Sequence, residues 1–389
     1  MAYEPIGNEK NHIFMKIRPF VLERYFAKYE FSVKYLLSSS DCDGLAVKDL
    51  LKLADPETKK MWKEVKLGYT ESLGLPQLRQ EIANLYEGVN ADDVLIVAPE
   101  EGIFITMNTL LNKGDHIICA HPGYQSLYEI AESLGCEVTK WQPREEDNWR
   151  FDPAFLERNI KPNTKLIVVN FPHNPTGNLA SKEDFQRIID IAKEHKIYLF
   201  SDEMYRFLEL NSDDRLPSAV ELYDKAISLF GMSKTFGMAG VRIGWVITKD
   251  KKLYQDLSTF KDYTTICSSA PSEILSLIAL RAKDTIIQSH LKRINRNLKL
   301  LNVFFNKYKN LFSWVKPKAG TICFPKLLIN RNSFDFCESV IKEAEIMLLP
   351  STVYGFDDKH FRLGFGRGNM LEVLKLFEEY IERKHGIWD

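Results

Sequence analysis

Between residues 94 and 248 the chain alternates short apolar runs with longer amphipathic stretches, and this alternation restricts the fold more than any other sequence feature. The apolar runs have the length and β-branched content of buried strands, and they span residues 94–97, 116–120, 165–170, 197–201, 226–230 and 241–248. The stretches between them have helical spacing at residues 102–111, 124–134 and 181–194. Because parallel strands are joined by helical crossovers, the pattern predicts an α/β fold with a mostly parallel sheet flanked by helices.

The chain on either side of this region has a different pattern. Before it, residues 47–66 and 76–86 have helical spacing. After it come helical stretches and short strands, with helices predicted at residues 271–282, 286–310, 333–345 and 370–384 and strands at 321–326, 346–350 and 361–364. At 389 residues the chain exceeds the usual size of one hydrophobic core. We therefore expect a large domain at 46–285 and a smaller α+β domain from 1–45 and 286–389, with a helix at 13–35 packed on the smaller domain.

Charge and cysteine content narrow the classes of partner and compartment. The chain has 52 Lys and Arg against 53 Asp and Glu, so neither a nucleic acid nor a membrane surface is an expected partner. No apolar run is long enough to span a membrane, and the polar residues 4–10 do not resemble a signal peptide. Six cysteines without CxxC spacing favour reduced thiols over a zinc site. We expect a cytoplasmic protein.

Three polar clusters directly follow predicted strands. They occupy residues 170–177, 201–206 and 231–234. Each has an ordinary structural interpretation, because Asn-Pro-x-Gly is a turn sequence and an aspartate after a strand is often a helix cap. Ligands of α/β sheets, however, lie beyond the carboxyl ends of the strands. Three such clusters in succession therefore predict one binding crevice.

The third cluster begins a segment, residues 231–245, with a single lysine among glycines, small residues and apolar residues. In such a setting Lys234 can lose solvation and become a reactive amine, as a Schiff-base lysine must. Arg242, eight positions further on, is a fixed positive charge suited to a phosphate. The pair suggests that Lys234 carries pyridoxal phosphate and that Arg242 holds its phosphate group.

The motifs from about residue 67 to residue 364 resemble the class I/II aminotransferases, which are pyridoxal-phosphate enzymes of fold type I. The local similarity is greatest to members like capreomycidine synthase, in residues 37–40, 124–127, 169–177 and 261–264. The resemblance implies a sheet of the seven-stranded type in the large domain. It also implies an enzyme of amino acid metabolism that works as a homodimer.

The resemblance assigns roles around the cofactor ring. Lys234 would form the Schiff base and shuttle a proton, and Asp202 would pair with the pyridine nitrogen. Asn174 and Tyr205 would donate to the 3′ oxygen, and Tyr124 would stack on the ring. Structural alternatives remain for four of these: a surface lysine for Lys234, a helix cap for Asp202, an ordinary half-buried phenol for Tyr205 and a core aromatic for Tyr124.

The cofactor phosphate needs donors, and the resemblance implies several. Arg242 and Ser233 would contact it, and Tyr69 would reach it from the neighbouring subunit, which requires at least a dimer. The first turn of the helix after residue 97, with Glu100 and Glu101, would present backbone N–H groups.

This phosphate site departs from the family pattern at two points. The helix begins Ala98-Pro99-Glu100 where the family has a Gly-Ala-polar sequence, so Pro99 removes a donor and Glu100 adds a carboxylate. Gly231 stands where the family often has a serine or threonine three residues before the lysine. We expect weaker cofactor binding than is typical of the family.

The resemblance assigns the substrate α-carboxylate to Arg362, whose guanidinium geometry suits a carboxylate clamp; Arg367 is its close neighbour in sequence. Asp41, in the segment 38–44, would either face the substrate and favour a cationic side chain or cap the next turn.

The resulting function is transfer of an amino group between an L-amino acid and a 2-oxo acid. The same residues support elimination, cyclisation or racemisation as alternatives. A cofactor-binding protein without enzymatic activity is less favoured, because the catalytic set is complete and the charge balance offers no basic patch.

Overall fold

The computed structural model describes residues 17–384. The helices are α1 Val21–Tyr29, α2 Val47–Leu50, α3 Pro56–Glu64, α4 Pro76–Ala83, α5 Pro99–Leu110, α6 Ser126–Ser133, α7 Ala154–Asn159, α8 Lys182–Glu194, α9 Ala219–Leu222, α10 Lys251–Lys261, α11 Ala270–Arg281, α12 Lys283–Lys307, α13 Ser333–Ala344 and α14 Met370–Lys384. The strands are β1 Tyr35–Leu36, β2 Val94–Val97, β3 His116–Ala120, β4 Glu137–Trp141, β5 Thr164–Asn170, β6 Tyr198–Asp202, β7 Ala226–Gly231, β8 Gly244–Ile247, β9 Phe312–Ser313, β10 Ile322–Cys323, β11 Lys326–Leu327, β12 Ile346–Met347, β13 Leu349–Pro350 and β14 Phe361–Gly364.

Seven strands form one large sheet in the order β2-β8-β7-β6-β5-β3-β4. Strand β8 runs antiparallel to both its neighbours, and the other pairs are parallel. Helices cover both faces: α5, α6 and α10 on one, and α4, α8 and α11 on the other. Residues of the inner strands are therefore buried on both sides, which explains their continuous apolar runs. The predicted mostly parallel sheet is confirmed.

The edge strand β4 has no counterpart among the predicted strands. It pairs with β3 in parallel, but most of its residues are partly or fully exposed. Its sequence Glu-Val-Thr-Lys-Trp therefore lacks the apolar run by which the other strands are recognised.

Several predicted elements are wrong in their bounds. The helix expected at 47–66 is divided, because Pro56 begins α3 and Asp55 caps it by accepting a hydrogen bond from the Thr58 N–H at 2.9 Å. The helix expected at 13–35 covers only Val21–Tyr29, since Pro19 disfavours a helical residue before it; residues 13–16 lie outside the described range. The strand expected at 241–248 is shortened to β8.

The expected strand at 346–350 is in fact two strands, β12 paired with β1 and β13 paired with β14. These strands, the C-terminal helices and α12 surround a second hydrophobic core, separate from the cores on the two faces of the large sheet. Leu22 and Tyr25 of α1 pack against Met347 and Tyr354 near these strands. The N-terminal helix thus packs on the C-terminal α+β part, as the sequence predicts.

Two further expectations concern the state of the cysteines and the presence of membrane-spanning segments. All six cysteines are unpaired, and four of them are buried. Within residues 17–384, no helix combines the length and the apolar character needed to cross a membrane.

Candidate active site

A cavity of about 520 Å³ lies where strands β5, β6 and β7 end, beneath helix α1 and the segment 38–41. Ten of the twelve residues predicted for the site line this cavity: Asp41, Glu100, Tyr124, Asn174, Asp202, Tyr205, Ser233, Lys234, Arg242 and Arg362. The three polar clusters therefore do meet at one edge of the sheet.

The register of the parallel strands aligns the first two clusters. Asn170, the last residue of β5, lies beside Asp202, the last residue of β6. The Asn170 side chain donates to the Asp202 carbonyl oxygen at 2.9 Å and accepts from the Asn174 N–H at 2.8 Å. Asn170 thus fixes the loop that carries Asn174. It lay within a predicted cluster, but the sequence did not distinguish it from its neighbours.

Lys234 is a half-buried amine inside the cavity. Its Nζ donates to the Ser40 hydroxyl at 2.9 Å. Burial lowers the pKa of Lys234, and the positive charges of Arg362 and Arg242 lower it further against the opposing effect of Asp41. A lysine in this state is more readily deprotonated, which is the form that attacks a carbonyl carbon.

Asp202 is a buried carboxylate that forms no ion pair with another residue of the described range 17–384. It is 6 % exposed and accepts a hydrogen bond from the Met204 N–H at 3.1 Å. Burial raises its pKa to about 7, and Glu203 adds to the rise while the Met204 N–H and Lys234 oppose it. A protonated ring nitrogen beside this carboxylate would compensate its buried charge.

Two aromatic side chains flank Asp202 and Lys234. The Tyr205 hydroxyl, on a side chain 2 % exposed, has no hydrogen-bond partner among residues 17–384 although its residue lines the cavity. Tyr124 packs its ring against Phe20 at 4.9 Å between centroids, and its hydroxyl donates to Glu23 at 2.8 Å. A buried hydroxyl without a partner normally marks a place where a ligand or water supplies one.

The expected phosphate side of the cavity contains Glu100, Ser233 and Arg242. The Glu100 carboxylate accepts from the Ser126 hydroxyl at 3.1 Å. Burial raises the pKa of Glu100 to about 7; Glu23 and Asp202 raise it too, while Ser126 and Arg242 lower it. Arg242 has a left-handed backbone (φ 53°) and an exposed side chain whose Nη1 donates to the Ala239 carbonyl at 3.0 Å.

The two departures from the family pattern prove to be one packing arrangement. A Cβ atom on Gly231 would lie 2.9 Å from the Gly244 Cα and 3.2 Å from the Pro99 Cγ. A Cβ atom on Gly244 would lie 2.9 Å from the same proline carbon. The Pro99 ring thus packs over the paired glycines of β7 and β8. A hydroxyl-bearing side chain at 231 has no space between the backbone of Ile243 and Gly244 and the Pro99 ring.

Two predicted cofactor contacts do not line the cavity. The Tyr69 side chain is 91 % exposed, in a loop that Thr70 ties to Ser268 by a 3.1 Å hydrogen bond. The Glu101 carboxylate accepts from the Ala98 N–H at 3.1 Å and from the hydroxyls of Thr264 and Thr265. The Glu101 side chain therefore caps α5 and holds the loop after α10, and the expected contact between the Glu101 backbone N–H and a phosphate stays a prediction.

Arg362 is held by groups from three separate parts of the chain. It is 2 % exposed, and its Nε and Nη2 donate to the Ser38 carbonyl at 3.1 and 2.8 Å. Its Nη1 donates to the Tyr354 hydroxyl at 2.7 Å and lies 3.3 Å from the Asn174 Oδ1. Neither Ser38 nor Tyr354 was singled out as a partner of Arg362, because neither contact is local in sequence.

Asp41 lines the cavity, but its carboxylate is paired with Arg367. Both oxygens accept from the guanidinium at 3.2 Å. Two further carboxylates, Glu23 of α1 and Glu30 directly after this helix, line the same cavity. The sequence pattern gave no reason to place them there.

A sheet of this topology, with a lysine of lowered pKa, a buried aspartate and a buried arginine lining one cavity at its carboxyl edge, is the arrangement expected of a pyridoxal-phosphate enzyme of fold type I. Residues 32–377 match the family described as aminotransferase class I and II, and the chain belongs to that family. It is a pyridoxal-phosphate-dependent aminotransferase that acts on an amino acid and a 2-oxo acid.

Known proteins resemble the chain over most of its length. It is 26 % identical to an aspartate aminotransferase of Pyrococcus horikoshii, covering 81 % of this chain and 83 % of that protein. It is 25 % identical to capreomycidine synthase of Streptomyces vinaceus, covering 76 % and 75 %. The solved structure of a pyridoxal-phosphate-dependent aminotransferase from Streptococcus suis has a TM-score of 0.89 at 29 % identity and covers 96 % of this chain and 99 % of that one.

Proposed function

We propose that this aminotransferase holds its cofactor in the cavity at the ends of β5, β6 and β7 and uses Lys234 as both attachment point and proton carrier. The observation that carries the proposal is the arrangement around the amine. Lys234 shares one cavity with the uncompensated carboxylate of Asp202 and the unpartnered hydroxyl of Tyr205.

The described residues fit pyridoxal phosphate group by group. Asp202 would pair with the ring nitrogen, while Tyr205 and Asn174 would donate to the 3′ oxygen and Tyr124 would cover a ring face. The phosphate would bind Ser233, Arg242 and the first-turn N–H groups of α5 at Glu100 and Glu101. When bound, the cofactor supplies an electron sink for the pair left at the substrate Cα.

The chain's own residues supply the proton transfer and the orientation. Lys234, with its lowered pKa and its hydrogen bond to Ser40, takes the proton from the substrate Cα and carries it onward. Arg362 binds the substrate α-carboxylate, with its plane already set by the Ser38 carbonyl and Tyr354. Positioning of this kind lowers the entropy cost of bringing the Cα–H bond to the amine.

The decisive experiment is a panel of amino acids read through the cofactor absorbance. A transaminase substrate converts the lysine-bound cofactor to its pyridoxamine form, and adding a 2-oxo acid reverses the change. The Lys234→Ala variant should bind cofactor without this turnover, with circular dichroism showing that it folds. A panel in which no amino acid causes conversion would overturn the proposal.

The similarity to capreomycidine synthase supports a second candidate, elimination or cyclisation of an amino acid. The same panel separates the two reactions. A lyase or cyclase consumes its substrate and returns the cofactor to its starting spectrum without a 2-oxo acid, whereas a transaminase stops at the pyridoxamine form.

We also propose a homodimer in which Tyr69 completes the partner's phosphate site. Support comes from the exposure of Leu67 and Tyr69, whose loop is joined by the Thr70–Ser268 hydrogen bond to the loop that carries the exposed Tyr263. Mixing Lys234→Ala and Tyr69→Ala subunits tests this. If Tyr69 acts across the interface, hybrid dimers regain activity that neither variant has alone; no recovery would count against the arrangement.

The division into a large domain at 46–285 and a small domain from 1–45 and 286–389 stays a proposal, supported by the separate hydrophobic cores. A cytoplasmic location is likewise proposed, since all six cysteines are unpaired. Limited proteolysis tests the first, and fractionation of the native host tests the second.

A further inference from the structure

We propose that the substrate amino acid carries a cationic side chain, an amine or a guanidinium, bound by Glu23 and Glu30 beside the Asp41–Arg367 pair. This inference rests on the proposed function, because it takes the cavity as the substrate site. Glu23, Glu30 and Asp41 come from two different segments, residues 21–30 and residues 38–41, and line one cavity.

The cavity is a ligand site for reasons independent of these acids. The Tyr205 hydroxyl is buried, lines the cavity and has no partner among the described residues. Arg362, also in the lining, is a buried guanidinium with Nη1 pointing at a tyrosine hydroxyl and an amide oxygen rather than at a carboxylate. A buried arginine without a carboxylate partner is ready to take one from a ligand.

The charges that line the cavity divide into two groups. The cofactor and the substrate α-carboxylate account for Asp202, Lys234, Arg242 and Arg362, and Glu100 lies on the expected phosphate side. The other charged residues described in the lining are three carboxylates, Glu23, Glu30 and Asp41, and one cation, Arg367. Asp41 already forms a two-oxygen pair with Arg367 at 3.2 Å. Among residues 17–384, no remaining cation that lines the cavity therefore balances the negative charge of Glu23 and Glu30.

The surroundings of Glu30 agree with this imbalance. Burial raises its pKa, and Glu23 and Asp41 raise it further, while Arg367 and Lys234 lower it. Glu23 accepts a hydrogen bond from Tyr124 but has no cationic partner among the ion pairs of residues 17–384. A cationic substrate group would relieve the repulsion between these carboxylates. A carboxylate on the substrate side chain would add to this repulsion.

The test compares amino acids that match in shape and differ in charge. Arginine against citrulline and lysine against norleucine give two such pairs, with aspartate as the anionic comparison. We expect kcat/KM for each cationic member to exceed that of its neutral partner about tenfold or more, as one lost charge pair implies. The dissociation constants from spectral titration of the holoenzyme should differ in the same direction.

Two variants separate recognition from general damage. Glu30→Gln should lower kcat/KM for arginine more than kcat/KM for citrulline, so that the preference for arginine falls several-fold. Glu379→Gln, an exposed change on α14 far along the chain from this cavity wall, is the matched control and should alter neither. Equal turnover of arginine and citrulline, or a preference for aspartate, would overturn the inference and leave the aminotransferase function intact. A panel without any cofactor conversion would instead remove the proposed function itself.

Discussion

The hydroxyl of Tyr354 lies 2.7 Å from Nη1 of Arg362, and the same hydroxyl donates to Oδ1 of Asn174 at 3.1 Å. One phenol thus joins the residue proposed to clamp the substrate carboxylate to a residue proposed to contact the cofactor. Tyr354 is buried, so its hydrogen bonds do not compete with bulk water.

Replacing Tyr354 by phenylalanine should therefore weaken substrate binding more than it slows the chemical step. The guanidinium loses one of the groups that fix its plane, so we expect KM to rise about tenfold with kcat changed less than about twofold. Steady-state kinetics measures the split. Tyr35→Phe, which removes a hydrogen bond to Glu372, is the matched control. This role would be refuted if kcat fell as much as KM rose in Tyr354→Phe, or if the Tyr35→Phe control showed the same changes.

The carboxyl group of Glu100 should make cofactor binding depend on pH. Its pKa of about 7 follows chiefly from burial, so the group is largely neutral below pH 7 and charged above it. The charged form repels the cofactor phosphate, and affinity should fall several-fold between pH 6 and pH 8. In Glu100→Gln, the part of this affinity loss that comes from the Glu100 carboxylate should vanish.

Fluorescence titration of the apoenzyme at both pH values checks the Glu100 prediction. Lys234 also titrates, so the informative quantity is the difference between wild type and Glu100→Gln. Parallel curves for the two proteins would show that the carboxylate does not face the phosphate. The same titration tests the expectation of weaker cofactor binding than is usual in the family.

A buried ionic cluster around His360 should set part of the pH dependence of stability. His360 bonds Asp357 and lies 3.2 Å from Glu145, contacts that raise its pKa although burial lowers it. The pKa of Asp357 falls to about 2, since His360 outweighs the effect of burial. Stability from His360 is present below its ordinary pKa of about 6.5 and is lost as the pH rises through the raised value.

The carboxylates of the His360 cluster act in the opposite sense. Their contribution is present above about pH 4 and is lost as the pH falls through their lowered pKa values. His360→Gln should thus lower the free energy of unfolding by about 1–2 kcal/mol near pH 5.5 and by less near pH 8. The expected loss is modest because a third of the Asp357 side chain is exposed. Thermal unfolding at both pH values measures this. An identical Tm loss at both would disagree with the assignment.

Gly231→Ser should destabilise the protein instead of strengthening phosphate binding. The new Cβ would approach backbone atoms of β8 and the Pro99 ring at 2.9–3.2 Å. Overpacking of this kind costs about 1–3 kcal/mol. Gly240→Ser, where a Cβ meets nothing within 4 Å, serves as the control in the Tm measurement. Should Gly231→Ser bind cofactor more tightly at unchanged Tm, the packing explanation would be wrong.

Strand positions and the polar clusters behind them could be read from the sequence because their causes are local. Continuous apolar runs reflect burial on both faces, and each cluster follows its strand directly. The same reasoning failed for β4, whose half-exposed residues carry no apolar run, and for the divided helix at 47–66, where the capping by Asp55 at Pro56 was overlooked. Both failures concern elements outside the centre of the sheet.

The sequence by itself determined the α/β class, the order of the strands along the chain and the side chains presented at their ends. Only the tertiary structure decided the partners of those side chains. Ser40 meets Lys234 across 194 residues and Tyr354 meets Asn174 across 180, distances over which no periodicity carries information. The same is true of Glu23 and Glu30, which α1 brings to the cavity only because its apolar face packs on the C-terminal strands.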